Sequence, residues 1–410
     1  MLSIFIYEKP YHNLMQPIYP LAEDSFLLQK YVEQYAAGKV LDVGTGSGIQ
    51  ALTAARQAAV KRVIAADINP AAITHCRNEV RHKKISYKLS DLFSALPRSA
   101  HFDTIIFNPP YLPEDRRLKD IALDGGKRGY ELLERFLREA PDHLSPAGRI
   151  LIVFSSLTDK KTVDRIISEQ LLTAELLETV SLDFERLYCY IIHKSAILRE
   201  LEKRGVLGLR HFTKGHRGAI FKGSLGSLRR EIAVKIQRAD SPSPGTIDHE
   251  SAMLVRLNKK KVGPKLLLSM KGCFVYEFIN GEFIEDFLKR CSRAEAIDMF
   301  NGVLLQCRAM DLSGINKEEM HHPFKHVLIS RSKKKLSIHL LDFERAIFSQ
   351  KPHNVTQFCQ YLTGGKISGI LRDKPQALMI GCQAVRKLAA LYKHDQSEAR
   401  FNAIMRQVSE

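Results

Sequence analysis

The sequence predicts a two-domain chain: an α/β unit with a doubly wound, mostly parallel sheet, then a separate α+β unit. Three observations carry this. Apolar strand-like runs near Val40, Val63, Ile85, Ile105 and Ile150 alternate with helical stretches, the pattern of parallel strands joined by crossover helices. At 410 residues the chain suits two domains of roughly 100 to 200 residues each. Charge divides in the same way: residues 1 to 200 carry 26 Lys and Arg against 25 Asp and Glu, and residues 201 to 410 carry 36 against 20. Almost all of the formal net charge of +17 therefore lies in the second half. Such a surface suits RNA, the ribosome or another polyanion, with a solvated lysine-rich face as the plain alternative.

In chain order, Val40-Leu41-Asp42-Val43 reads as a buried strand that runs into Gly44-Thr45-Gly46-Ser47-Gly48 and a helix from Ile49 to Ala58. Glycines there allow a ligand close to the backbone, as in nucleotide-type loops. Asp67 ends the next apolar run, Arg62 to Ala66, where a carboxylate can accept from both hydroxyls of a ribose. Asp91, after a third short run, could receive an adenine amino group or simply cap a helix. The strand-like run Phe102 to Phe107 leads into Asn108-Pro109-Pro110-Tyr111. Two prolines fix the backbone and donate nothing, so the carbonyls around them and the Asn108 side chain are free to accept from an NH2 group. The runs Leu172 to Val180 and Leu187 to His193 lack a full crossover helix between them and predict a closing antiparallel hairpin. A charged helix, Lys194 to Arg204, then leads out. The expected division is a first domain over 1–195, a helical linker over 196–204 and a second domain over 205–410.

Several motifs of the first half occur together: Ile18-Tyr19-Pro20-Leu21-Ala22-Glu23-Asp24-Ser25-Phe26-Leu27-Leu28, the glycine loop, Asn108-Pro109-Pro110-Tyr111, Asp124-Gly125-Gly126-Lys127-Arg128-Gly129 and Phe154-Ser155-Ser156-Leu157-Thr158. In combination they resemble the class I S-adenosylmethionine-dependent methyltransferases, specifically the HemK-like N-methyltransferases that act on glutamine side chains of release factors. The short leader resembles the archaeal and eukaryotic branch. Asp124 departs from the family, which has a bulkier or alanine-type residue before its double glycine. The resemblance implies a Rossmann-like, seven-stranded methyltransferase sheet and S-adenosylmethionine as methyl donor. It implies Asp42, Gly44, Thr45, Gly46, Gly48, Asp67, Asp91 and Asn108 on the cofactor, and Asn108, Pro109, Pro110 and Tyr111 on the acceptor. It also implies the Gly-Gly-Gln loop of a release factor as substrate and a small zinc-binding activator subunit as partner. The tetrad itself is equally compatible with an exocyclic amine of a nucleic-acid base.

The second half opens with Thr213-Lys214-Gly215-His216-Arg217-Gly218, followed by Ile232-Ala233-Val234-Lys235-Ile236. A glycine turn between strands with a lysine on the next strand is how kinase-like folds cover and grip ATP phosphates. Glu250 is spaced to pair with Lys235, Phe274 to Phe278 resembles an interlobe hinge, and Leu341-Asp342-Phe343-Glu344 resembles a magnesium-binding turn. Together these resemble the atypical RIO-like or Bud-type small kinases, most closely the archaeal Ser/Thr kinases with a Gly-His-Arg-Gly loop. ATP on Gly215, Gly218, Lys235, Glu250 and Asp342, with magnesium on Asp342, is what that resemblance implies. The catalytic loop departs from the usual His-x-Asp: Glu319 is one candidate for the aspartate, with His326 for the asparagine, and His321 is the other. The unit is then an active kinase, an ATP-binding switch, or an inert docking module in a regulatory or scaffold protein.

Seven cysteines, at 76, 189, 273, 291, 307, 359 and 382, form no Cys-x-x-Cys pair and suggest free thiols in a reducing cytoplasm. The His and Glu residues around 319–326 match no zinc ligand spacing. Neither a signal peptide nor a membrane-length apolar run is read in the sequence.

Overall fold

The computed structural model describes residues 20–112, 125–215, 218–226, 230–238, 245–332, 335–365, 367, 369 and 381–409. The chain divides into two compact units, Met1–Gly208 and Leu209–Glu410.

In chain order, the first unit contains α1 (Glu23–Tyr35), β1 (Gly38–Val43), α2 (Ile49–Arg56), β2 (Val60–Asp67), α3 (Pro70–Glu79), β3 (Ile85–Leu89) and β4 (Phe102–Phe107). It continues with α4 (Glu131–His143), β5 (Leu144–Ser155), α5 (Lys160–Glu169), β6 (Leu172–Ser181), β7 (Arg186–Lys194) and α6 (Ala196–Lys203). The seven strands form one sheet in the order β3-β2-β1-β4-β5-β7-β6. The first five run parallel, and β7 pairs antiparallel with both β5 and β6, which is the expected closing hairpin. Both faces are covered, so the central strands read as nearly continuous apolar runs. On one face Leu28 and Val32 of α1 and the alanines Ala51 and Ala54 of α2 pack against Val40, Val63, Ile106 and Leu151. Small side chains on α2 let its backbone approach the sheet closely. On β4, Phe107 packs against Phe136 of α4, with ring centroids 4.4 Å apart.

Several boundaries differ from the sequence expectation by a residue or two, and two of them have a plain physical reason. Helix α2 stops at Arg56 because Gln57 is already extended. Lys194 belongs to β7 and not to the following helix, where Ser195 is the N-cap and accepts from the Leu198 N–H. The Lys194 side chain is buried and reaches Glu202 of α6 at 2.6 Å.

β8 (Val206–Lys214) starts within the last residues of the first unit, and the second unit continues with β9 (Gly218–Leu225), β10 (Arg230–Gln237), α7 (Thr246–Asn258), β11 (Leu266–Met270) and β12 (Cys273–Glu277). Its five-stranded sheet has the order β11-β12-β10-β9-β8, and α7 packs beside it with Ile247, Met253 and Leu254 buried. Next come β13 (Glu282–Phe283), α8 (Ile284–Arg290), α9 (Arg293–Leu312), β14 (Ile315–Asn316), β15 (Val327–Ser332), β16 (Lys335–Leu340), β17 (Ile347–Phe348), α10 (Asn354–Leu362), α11 (Cys382–His394) and α12 (Glu398–Ser409). Helix α9 starts at a capping box in which Ser292 and Glu295 satisfy each other's backbone N–H groups. Its Phe300, Val303 and Leu304 join Phe287, Phe343, Phe358 and Tyr392 in one core. Among the described residues no helix is long and apolar enough to cross a membrane, and all seven cysteines are free thiols, six of them buried.

Candidate functional site

Parallel strands deliver their C-terminal ends to one edge, and ligands of open α/β sheets bind where the strand order reverses. Here that point lies between β1 and β4, whose last paired residues are Val43 and Phe107. The next residues on these neighbouring strands are Gly44 and Asn108, so the glycine loop and the tetrad are adjacent by register.

The loop is shaped from below by Asp42. This carboxylate is buried, and its Oδ2 accepts from Thr45 Oγ1 at 2.6 Å and from the Ala51 N–H at 3.1 Å. Burial, opposed by the bond from Thr45, pushes its carboxyl up to about 7. Gly46 and Gly48 have φ of +51° and +80°, in the left-handed region where a side chain is strained. At Gly48 a Cβ would also sit 2.9 Å from Cys76 Sγ and from a Val80 methyl. Asp67, at the end of β2, accepts from the Gly46 N–H at 2.9 Å and from the Asn69 N–H at 2.8 Å. Burial raises its carboxyl above the usual range. Carboxylate oxygens accept more than one bond each, so a ribose hydroxyl suits it. A left-handed glycine loop flanked by a buried carboxylate fits the ribose and tail of S-adenosylmethionine. Asp91 lies close by in sequence to the end of β3, but its carboxylate is paired with Arg135 of α4 at 2.9 Å on the surface. It does not cap a helix, because residues 92–95 form a turn.

The tetrad is where the structure adds most. Asn108 Nδ2 donates to Oδ2 of Asp24 at 3.1 Å, and Tyr111 Oη donates to the same oxygen at 3.3 Å. Asp24 sits buried in the first turn of α1. A carboxylate only accepts, which fixes the Asn108 amide with its NH2 toward Asp24 and its oxygen away. Asn108 Oδ1 is buried and has no hydrogen-bond donor among the described residues. Thr158 Oγ1 donates to the Tyr111 carbonyl at 2.8 Å. A Cβ on Gly125 would lie 2.6 Å from the Pro110 carbonyl oxygen, so only glycine lets the Gly125-Gly126 turn pack onto the tetrad. Four segments distant in sequence thus meet at Asn108 and Tyr111. Asp124 lies outside the described residues. Reading the sequence by spacing missed Asp24 and Thr158 as site residues, although both stand inside the family-like motifs.

A family model described as the methyltransferase small domain matches residues 22–181. A Methanocaldococcus jannaschii protein named for N5-glutamine methyltransferase activity is 38% identical over 162 residues, which is 38% of this chain and 81% of that protein. The chain belongs to the HemK-like protein-glutamine methyltransferases. Human methyltransferase HEMK2 is 34% identical over 33% of this chain and 71% of its own length. The release factor glutamine methyltransferase of Koribacter versatilis is also 34% identical, and the chain spans only 53% of its length. A chain of the E. cuniculi Mtq2–Trm112 complex aligns at 23% identity and a TM-score of 0.36, over 43% of this chain and 98% of that one. The first unit is accordingly an S-adenosylmethionine-dependent methyltransferase unit.

In the second unit, Lys235 Nζ lies 2.6 Å from Glu250 Oε2 and 3.5 Å from Asp342 Oδ1. Glu250 also accepts from the Phe343 N–H at 3.2 Å. Burial holds Glu250 above its usual range despite Lys235. For Asp342, Lys235 and Lys317 outweigh burial and hold it below. Glu250, Asp342 and Glu344 bring ligand oxygens within 4.8 Å of one another, a spacing that a divalent cation can bridge. The Gly215 N–H closes the glycine turn onto the Gly218 carbonyl at 2.9 Å; His216 and Arg217 lie outside the described residues. Glu319 is 3.4 Å from His326 Nε2 and 3.1 Å from Arg345. Burial and the nearby Lys317 push His326 down to about 4, so at neutral pH it faces Glu319 as a neutral ring. His321 is elsewhere: it packs on His322 and, with Phe324, Gln360 and Tyr361, lines a separate cleft of about 730 Å³.

The Asp42 carboxyl has a testable consequence. Its folded-state value of about 7 lies above the ordinary 3.8, so between about pH 4 and 7 the folded protein keeps a proton that the unfolded chain has lost. Stability contributed at this position therefore falls as pH rises through that window. Asp42→Asn removes the titration, so denaturation midpoints of variant and parent compared at pH 5 and pH 7.5 should show the variant gaining relative to the parent at the higher pH.

Proposed function

We propose that the first unit transfers methyl groups from S-adenosylmethionine to a glutamine side-chain amide, and that its substrate is the Gly-Gly-Gln loop of a peptide release factor. The observation that carries this reading is Asn108 Oδ1, a buried acceptor held open by Asp24 beside the donor loop. An amide nitrogen is a poor nucleophile because its lone pair is delocalised. Asn108 Oδ1 and the Pro109 carbonyl accept from its two N–H groups, which turns the nitrogen so that the lone pair faces the donor. Tyr111, its hydroxyl tied to Asp24, lies against the flat face of the amide. Gly44 to Gly48 and Asp67 hold the donor, with Asp42 shaping the loop and Asp91 near the adenine. When bound, S-adenosylmethionine supplies a methyl already activated by its sulfonium. The release-factor choice is supported by relatives named as release factor glutamine methyltransferases. The family resemblance further suggests a small zinc-binding activator subunit, which the assay should include.

We propose for the second unit that it binds ATP with magnesium. Lys235, buttressed by Glu250, neutralises the phosphates, Gly215 and Gly218 cover them, and Asp342 takes the cation. The basic balance of this half is available for RNA or ribosome contact.

Purified chain with activator, S-adenosylmethionine and release factor should methylate the intact loop and ignore its Gln→Ala version, read by mass spectrometry of that peptide. Asn108→Ala should lower turnover on the order of 100-fold while donor affinity stays within a few fold. Label appearing in RNA instead would reassign the acceptor to a base amine. For the second unit, calorimetric titration of the full chain with ATP and magnesium should give saturable binding that Lys235→Ala removes and that leaves methylation unchanged. Absence of binding by the parent would reduce this unit to a docking module.

A further inference from the structure

The carboxyl edge of the first unit's sheet carries a large share of that unit's exposed apolar side chains. Leu21 and Phe26 around the start of α1, Ile68 after β2, Leu89 at the end of β3, Leu157 after β5 and Phe184 between β6 and β7 all stand exposed there, against two large hydrophobics exposed elsewhere among the described residues of this unit. Exposed apolar residues scattered singly are ordinary on a protein surface, whereas a group of them around a site marks an interaction surface.

Three of these residues flank the tetrad on segments tied to it. Between β6 and β7 the Leu182 N–H donates to the Glu185 carbonyl at 2.8 Å, which closes a tight turn with Asp183 and Phe184 at its tip. Phe184 is 96% exposed, so its ring contributes nothing to the core. The base of the turn is pinned to the residue after β5: the Ser156 N–H donates to the Arg186 carbonyl at 2.7 Å, and Ser156 Oγ accepts from the Arg186 N–H at 3.0 Å. Leu157 comes next, and Thr158 after it holds the Tyr111 carbonyl. On α1, Phe26 and Lys30 are four residues apart and share a face. Lys30 reaches Glu178 of β6 at 2.7 Å, so Phe26, one turn nearer the Asp24 end of the helix, is turned toward the hairpin end of β6. Charge along this stretch is acidic in balance. Glu23, Asp159, Asp183 and Glu185 stand against Arg186 and Lys160, and Lys160 is paired with Asp164 at 2.7 Å. Lys127 and Arg128 lie across the tetrad, on the far side of the Gly125-Gly126 turn. A nucleic-acid backbone is held chiefly by cations, and an apolar stretch among carboxylates is a poor match for it. Aromatic side chains with a charged rim are instead the composition of contacts between proteins.

We propose that Phe26, Leu157 and Phe184 form the docking surface for the protein that carries the acceptor glutamine, gripping an apolar patch of that protein beside its Gly-Gly-Gln loop. This rests on the reading of the first unit as a protein-glutamine methyltransferase. The tetrad grips an NH2 group and reads little beyond it; the three apolar residues choose the body to which that group is attached. They lie outside the donor loop and the tetrad, so they act on acceptor binding and not on the transfer step.

Steady-state methylation of release factor by the full chain with activator tests this, with donor affinity measured by calorimetry. Phe26→Ser and Phe184→Ser should each raise KM for release factor roughly 10-fold, while kcat and donor affinity stay within about twofold of the parent. Phe184→Leu, which keeps an apolar side chain, should retain most of the parental KM. For the parent, KM should change less than about threefold between about 50 and 200 mM salt, where an acceptor held through phosphates would lose orders of magnitude. An unchanged KM in either serine variant, a loss confined to kcat, a loss of donor affinity, or a steep salt dependence would overturn the docking surface. A parent that transfers no methyl to release factor would instead overturn the substrate reading beneath it.

Discussion

The first unit depends on one contact, the bond from Asn108 Nδ2 to Asp24 Oδ2. An asparagine amide presents a donor on one side and an acceptor on the other, and nothing in its shape selects between them. A buried carboxylate does select, because it can only accept. With the NH2 spent on Asp24, the opposite oxygen is the acceptor offered at the end of β4. The same carboxylate oxygen takes the Tyr111 hydroxyl, so one side chain on α1 sets both polar members of the tetrad. Removing it would leave a buried donor unsatisfied as well as a rotatable amide, at a cost on the order of 1 to 3 kcal/mol.

Everything around that contact serves to hold it. The parallel register brings Val43 and Phe107 side by side, which sets the donor loop next to the tetrad. Gln50 of α2 donates to the Ser25 carbonyl at 2.8 Å and ties the first turn of α1 to the helix that follows the glycine loop. Thr158 and Gly125 close over the tetrad from the other side. The arrangement at the tetrad is therefore a property of several strand ends at once, which is how α/β sheets build sites from distant residues.

Much of this was legible in the sequence. Apolar runs mark the central strands of the first unit most clearly, because parallel strands covered on both faces are buried almost throughout, whereas β3 and β6 at the sheet edges are largely exposed and leave weaker signals. The glycine loop, Asp67 and the tetrad are visible because each is a local signal. Asp24 is not, since its partners lie 84 and 87 residues away and its place in a helix start has an ordinary reading as a helix-dipole carboxylate. Lys317 escaped for a similar reason: a lysine in a charged loop reads as solvated, and only the fold buries it. Between Glu319 and His321 the sequence left a choice, Glu319 at the cost of a slightly longer loop; the structure sets Glu319 against His326 and Arg345 and turns His321 into a different cleft.

The central claim is that Asp24 acts through Asn108. A double-mutant cycle on methyl transfer to a Gly-Gly-Gln release factor tests it most directly, using Asp24→Ala, Asn108→Ala and the pair, with donor affinity measured in parallel. The account predicts strong non-additivity: the double variant should be far less impaired than the product of the two single losses, any further loss beyond Asn108→Ala being confined to what Asp24 does through Tyr111, and donor affinity should stay within a few fold throughout. Multiplicative losses in the double variant would contradict it, because Asp24 and Asn108 would then contribute independently.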